Sequence, residues 1–321
     1  MRFLRVCPFF FVFFIVLGFT IARPLFAFSL SPAINDISLQ PGGIYSGIIS
    51  VMNDTDAEET YYLSIQKFLP KGDAGQEEFL PIWETSGLPK WIYLNAPSVT
   101  LKAGESRSVP FTIRVPANAV PGGYYAALFF SNRPPIMGPQ GRVVTGARTG
   151  SLILLTVEGR LVKKLALQSF ALETATQLRS LPAGFETVLE NQGNIHVIPD
   201  GKITIKNYFG YTAAVLPLNP DGARVLPNST RRFSSVWQSA VPLNGNGFWH
   251  HAAEELRNFA IGRYTATLQL QGPGSENVQP TSLVFYVWPW ELLMCLAGFF
   301  VLLIVCIRLY RHWVIYRATL S

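Results

Sequence analysis

The stretch Ser98–Phe130, SVTLKAGESRSVPFTIRVPANAVPGGYYAALFF, decides the fold. Three apolar runs, Ser98–Leu101, Ser108–Val115 and Tyr124–Ser131, are punctuated by Ala103-Gly104-Glu105 and Pro121-Gly122-Gly123. Short β-branched and aromatic runs between turn formers at this spacing predict the strands of a sandwich or barrel. Upstream, Tyr45–Met52, Thr60–Lys67 and Trp91–Leu94 follow the same rule, with Pro41-Gly42-Gly43 and Lys71-Gly72-Asp73 as breakers and Trp83–Lys90 as a loop.

Downstream the scheme returns in Ser151–Glu158, Val162–Leu172, Phe185–Glu190, Gly201–Asn207, Thr212–Leu216, Thr230–Trp237, Tyr264–Gln271 and Ser282–Val287. The two halves echo one another. An apolar strand ends in asparagine in both, at Asn53 and at Asn191, and a Gly-x-Tyr strand closes each half. The recurrence predicts one β-sandwich topology used twice. Pro134, Pro135 and Pro139 mark 133–149 as a connector, Asn244-Gly245-Asn246-Gly247 is strongly turn-forming, and His251–Phe259 is the one helix expected between the chain ends.

The ends read differently. Arg2 and Arg5 precede the Phe-rich apolar run Val6–Ile21, and Ala27 stands at a cleavage position, the pattern of a secretory signal peptide; an uncleaved anchor is the competing reading. At the other end Leu292–Ile307 is apolar, flanked by Trp288 and Trp290 before it and by Arg308, Arg311 and Arg317 after it. That is a stop-transfer anchor of about 20 residues with interfacial aromatics and a cytoplasmic basic tail. Both ends place the middle of the chain outside the cell membrane, extracellular or periplasmic, with the C-terminus cytoplasmic.

Composition excludes several function classes. The three cysteines, Cys7, Cys295 and Cys306, lie in the two apolar ends, so the exported portion has no disulfide and no thiolate-bound metal. Of 26 basic residues six are arginines of the ends, and of 20 acidic ones Glu291 abuts the anchor; Phe28–Trp290 therefore carries 20 against 19. No footprint for nucleic acid remains. No Gly-x-Ser-x-Gly elbow and no phosphate loop occurs. The neighbouring pairs Glu58-Glu59 and Glu77-Glu78 point to opposite faces of a strand, unsuited to flanking one glycosidic bond. His250 and His251 with Glu254 and Glu255 have helical metal-ligand spacing without a third convergent ligand, and a solvated turn accounts for them better. No catalytic residue, metal or cofactor is assigned.

The first half, with Phe28-Ser29-Leu30-Ser31-Pro32-Ala33, GGIYSGIISVMNDTD, Trp91-Ile92-Tyr93-Leu94, VTLKAGES and VPFTIRVPANAVPGGYYAALFF, then a second β domain, one apolar helix and a basic tail, resembles the WxL-interacting proteins of Gram-positive bacteria. The resemblance implies a first domain that binds peptidoglycan and a second that engages a protein partner. Where that family carries Asn-x-Tyr-x-Tyr, this chain has Arg148–Leu155, which makes it a distant relative. The same strand pattern also resembles fibronectin type III modules and periplasmic pilus chaperones.

The expected architecture is thus all-β: a signal peptide over 1–27, Ig-like sandwiches over 28–132 and 150–287, a transmembrane helix over 288–310 and a tail over 311–321. Exposed aromatics are the binding candidates, because sugar rings stack on them: Trp83, Trp91, Tyr93 and Tyr125, with Trp83 the best placed for exposure. The expected role is a non-catalytic, membrane-anchored envelope protein that binds peptidoglycan, another envelope glycan or a surface protein. The alternative is a structural or chaperone-like assembly factor for an exported subunit or appendage.

Overall fold

The computed structural model describes residues 28–134, 136–137, 143–144, 148–174, 176–238, 245 and 247–318. The expected signal peptide lies outside these residues, as do much of the expected connector and, within the Asn244–Gly247 turn, Asn244 and Asn246. The chain divides into two compact units, Met1–Leu69 with Phe79–Gly159 and Pro70–Glu78 with Arg160–Ser321.

The strands up to residue 159 are β1 (Phe28–Ser31), β2 (Ile34–Leu39), β3 (Ile44–Asn53), β4 (Glu59–Lys71), β5 (Gln76–Phe79), β6 (Ile92–Leu94), β7 (Ser98–Leu101), β8 (Ser106–Arg114), β9 (Gly122–Ser131), β10 (Ile136–Met137), β11 (Val143–Val144) and β12 (Arg148–Val157), and all belong to the first unit except the end of β4 and the Gln76–Glu78 part of β5. A four-residue helix α1 (Leu88–Trp91) begins inside the expected Trp83–Lys90 loop and takes Trp91 out of the expected strand. One sheet runs β1-β3-β8-β6; the other runs β2-β12-β9-β4-β5 with β7 also on β4. Chain-adjacent β1 and β2 thus join different sheets, β1 antiparallel to β3 and β2 parallel to β12.

Alternation places one face of each strand in the core. Ile49 and Val51 of β3, Tyr61 and Leu63 of β4, Phe111 and Ile113 of β8, Leu128 and Phe130 of β9 and Ile153, Leu155 and Val157 of β12 meet between the sheets. Gly47 is required there: a Cβ would lie 2.5 Å from the Phe111 ring. The ladder between β9 and β12, from Arg148↔Ser131 to Val157↔Gly122, moves the expected domain boundary. Residues 148–157 complete the first sandwich instead of opening the second, because Ile153–Val157, flanked by β9 and β2, is buried on both faces.

The second unit holds β13 (Leu165–Leu172), β14 (Gln177–Leu178), β15 (Ala183–Asn191), β16 (Asp200–Asn207), β17 (Thr212–Pro217), β18 (Ser229–Trp237), β19 (Gly262–Gln271) and β20 (Thr281–Val287), with α2 (Phe248–Arg257) between β18 and β19 and α3 (Trp290–Ala318) last. Its sheets are β13-β15-β18 and β14-β20-β19-β16-β17, closing on Phe185, Leu189, Ile203, Ile205, Trp237, Tyr264, Leu268 and Phe285. The structure is all-β apart from these helices, two β-sandwich units followed by one apolar helix.

The sequence echo has a structural cause. Asn53 ends β3 and Asn191 ends β15, both fully buried. Asn53 Nδ2 donates to the Ala57 carbonyl (2.7 Å) and the Leu101 carbonyl (3.2 Å), while its Oδ1 accepts from Thr55 N (3.1 Å). Asn191 Nδ2 donates to the Ile195 carbonyl (2.8 Å) and the Val225 carbonyl (2.8 Å), and its Oδ1 accepts from Gly193 N (2.8 Å). Each amide closes its own turn at i+2 and i+4 and ties it to a distant segment. A buried amide that satisfies three backbone groups at once is a strong reason to keep this residue type at both places.

Candidate binding surface

The first-unit sheet β1-β3-β8-β6 turns one face to the core and the other to solvent. The outward positions of β3 are Ile44, Ser46, Ile48, Ser50 and Met52; those of β8 are Ser106, Ser108, Pro110, Thr112 and Arg114. Register sets Ile48 beside Pro110, Met52 beside Ser106, and Thr112 beside Tyr93 of β6. Ile44, Ile48, Met52 and Tyr93 are exposed, with Ile48 at 57%. Arg114 is the one charge among these positions, and its guanidinium lies 5.3 Å from the Tyr93 ring centroid, within cation–π range. Surfaces of this kind, apolar and hydroxyl-bearing in a row with almost no charge, suit contact with another molecule more than open water. Pro110 has no N–H to offer where β8 extends past the short β6, which blunts that edge.

The four aromatics expected from the sequence do not gather in one place. Tyr93 projects from this outward face, and Trp83, 52% exposed, sits in the loop before α1. Trp91 packs against the core with its ring 4.6 Å from that of Tyr124, whose hydroxyl donates to the Val120 carbonyl (2.9 Å). Tyr125 lies on the outer side of the opposite sheet, half-buried, 5.8 Å from the Phe68 ring. There Phe68, Phe79 and Phe129 form a small aromatic cluster under the Arg148 guanidinium, 4.4 Å from Phe129. Ile44, Ile48, Met52 and Arg114 were not singled out from the sequence. Their signal was present: the outward set of β3 reads Ile-Ser-Ile-Ser-Met where a solvated face would carry charges.

Around His250 and His251 the structure forms no metal site, and among the described residues no group of three His, Cys, Asp or Glu side chains is assembled to hold an ion. Glu255 instead points inward, 2% exposed, against Glu291 at the start of α3. Its Oε2 accepts from Leu292 N (2.8 Å), capping the first turn of α3. Glu255 Oε1 and Glu291 Oε2 are both buried without a hydrogen-bond partner. Burial, then the neighbouring Glu291, pushes the Glu255 carboxyl up to about 7. Arg179 approaches Glu291 at 3.6 Å.

Within α3, Trp290–Trp313 spans 24 residues and holds an 18-residue window with a mean hydropathy of 2.8, long and apolar enough to cross a membrane.

No family model matches this chain, and no curated protein matches its sequence. Solved structures similar to it include the class 5 fimbriae chaperone CfaA, 14% identical over 81% of this chain and 99% of that one, with a TM-score of 0.37. A complex of Salmonella enterica SafA pilin with the SafB chaperone is similar at 12% identity, over 82% and 99% of the two chains, with a TM-score of 0.35. The E. coli chaperone DraB is similar at 12% identity over 82% and 98%, with a TM-score of 0.33.

Proposed function

We propose that this is a non-enzymatic binding protein, held at a membrane by α3, whose first sandwich engages an exported protein through the outward face of the β1-β3-β8-β6 sheet. The observation that carries the reading is the exposed, nearly uncharged set Ile44, Ile48, Met52 and Tyr93. The basic residues after the apolar run Leu292–Ile307, namely Arg308, Arg311 and Arg317, favour an outward-facing body and a cytoplasmic tail. A protein segment fits this face better than a sugar chain does. Glycan recognition needs stacking rings with polar groups converging around them, whereas here a single tyrosine stands on a face of isoleucine, methionine and serine.

The resemblance to WxL-interacting proteins points the other way for this domain, to peptidoglycan, with a protein partner on the second. An assembly role, in which the partner is a subunit in transit, uses the same face transiently. Photo-crosslinking from position 48 of the full chain in intact cells separates these outcomes. The reading expects an adduct with an exported protein that Met52→Glu abolishes. No adduct above that from Lys202, together with sedimentation on purified peptidoglycan that Tyr93→Ala abolishes, overturns it in favour of the glycan. A protein adduct that appears only while appendage subunits are being secreted assigns the transient assembly role.

A further inference from the structure

Three apolar features of the second unit share one end of its larger sheet. Asn207, the last residue of β16, pairs with Tyr264, and Gly262, the first residue of β19, pairs with Val287, the last of β20. The β16–β17 turn, the entry from α2 into β19 and the exit from β20 into α3 therefore lie at the same end. The turn presents Tyr208, Phe209 and Tyr211, each more than 70% exposed. It is held open by Asn207, whose Oδ1 accepts from Phe209 N (3.1 Å) and Tyr211 N (3.0 Å).

Helix α2 adds a second patch. Ala252 and Glu255 face inward, while Trp249 and Leu256, seven residues and so two turns apart, stand on one exposed stripe at 77% and 64%. Trp288 and Trp290, at the head of α3, are also exposed. The opposite end of the same sheet is built otherwise, from the turns Asn219-Pro220-Asp221-Gly222 and Gly272–Pro280, which include Glu276 and Asn277. A water-soluble domain gains nothing from concentrating large aromatic side chains at one end and polar turns at the other. Lipid resolves the asymmetry. Tyrosine and tryptophan favour the headgroup boundary, and a helix with one apolar stripe lies in that plane. The occupant is specified by continuity, since these side chains surround the point where a 24-residue apolar helix begins.

We propose that this end of the second sandwich is a membrane-contacting collar, in which the 208–211 turn and the Trp249/Leu256 stripe of α2 insert into the lipid interface around the base of α3. The proposal rests on α3 being a membrane span. Arg179, its side chain 80% exposed and following β14 at the same end, is positioned for lipid phosphate.

The full chain with Cys7, Cys295 and Cys306 replaced by alanine, reconstituted in phosphatidylethanolamine and phosphatidylglycerol vesicles, carries one spin label at a time. Labels at Leu256→Cys and Phe209→Cys probe the collar, Phe299→Cys the span and Asp221→Cys the polar end. Collisions with a water-soluble nickel chelate are expected several-fold lower at 209 and 256 than at 221, with oxygen collisions raised, and lowest nickel access at 299. Labels at 209 and 256 that behave like 221 while 299 stays in lipid overturn the collar and leave the span intact. Nickel access at 299 equal to that at 221 overturns the span and the collar with it. Spin–spin broadening at 256 that disappears on dilution with unlabelled protein assigns the stripe to a second copy of the chain and also overturns the proposal.

Discussion

Replacing Asn191 by alanine tests whether the paired asparagines carry the two sandwiches. The side chain is fully buried and makes three hydrogen bonds of 2.8 Å each, to the Ile195 and Val225 carbonyls and from Gly193 N. Alanine leaves the Ile195 carbonyl and the Gly193 amide inside the protein without this partner, while the Val225 carbonyl keeps its bond from Val197 N (3.0 Å). At roughly 1–3 kcal/mol for each of the two orphaned groups, the lower end already sums to about 2 kcal/mol. For a unit of this size each kcal/mol moves the midpoint by about 2–4 °C, so the second unit should melt roughly 4–8 °C lower. Differential scanning calorimetry of the full chain in detergent reads the shift, and hydrogen exchange assigns the transition to the unit. Asn191→Asp should do no better, because it presents a carboxylate to two carbonyl oxygens. A second-unit midpoint within about 2 °C of the unmodified chain would refute the argument, since even one orphaned buried group costs more. Asn53→Ala should repeat the effect in the first unit, with the added loss of the Tyr61 hydroxyl bond (2.9 Å).

The joint between α2 and α3 should be pH-dependent. Because Glu255 titrates at about 7 in the folded protein against about 4.3 in an unfolded chain, its proton stabilises the fold fully below about pH 4, and that contribution is lost as pH rises toward and through 7. Exchange of the Leu292 amide, corrected for intrinsic rate, should quicken between pH 5 and 8, and Glu255→Gln should flatten the dependence. Gly47→Ala should destabilise the first unit by about 1–3 kcal/mol through its clash with Phe111, read as a lowered denaturant midpoint. Ile48→Glu, on an exposed position, should change stability by no more than about 0.5 kcal/mol while removing partner capture at that face.

Much of the strand pattern was legible because period-2 burial is written directly into runs such as GFETVLEN, where every second residue from Phe185 is buried. The domain boundary was not. Arg148–Val157 reads equally well as the last strand of one sandwich or the first of the next, and only pairing with β9 and β2 distinguishes them. The helix before β19 was legible in kind, although it begins at Phe248 instead of His251. The aromatic candidates divided along sheet faces: adjacent residues Tyr124 and Tyr125 face opposite sides, so proximity in sequence gave no proximity in space. The aromatic turn 208–211 went unremarked because its meaning depends on which end of the sheet it occupies, and that follows from register alone.

Only Trp288 and Pro289 separate the end of β20 from the start of α3, and the Leu292 amide is clamped by Glu255 from a neighbouring helix. Such a short, doubly held junction acts as a weld in place of a tether. The second sandwich must tilt with the helix it is mounted on, so a load borne by that sandwich arrives at α3 as torque instead of being absorbed by slack chain.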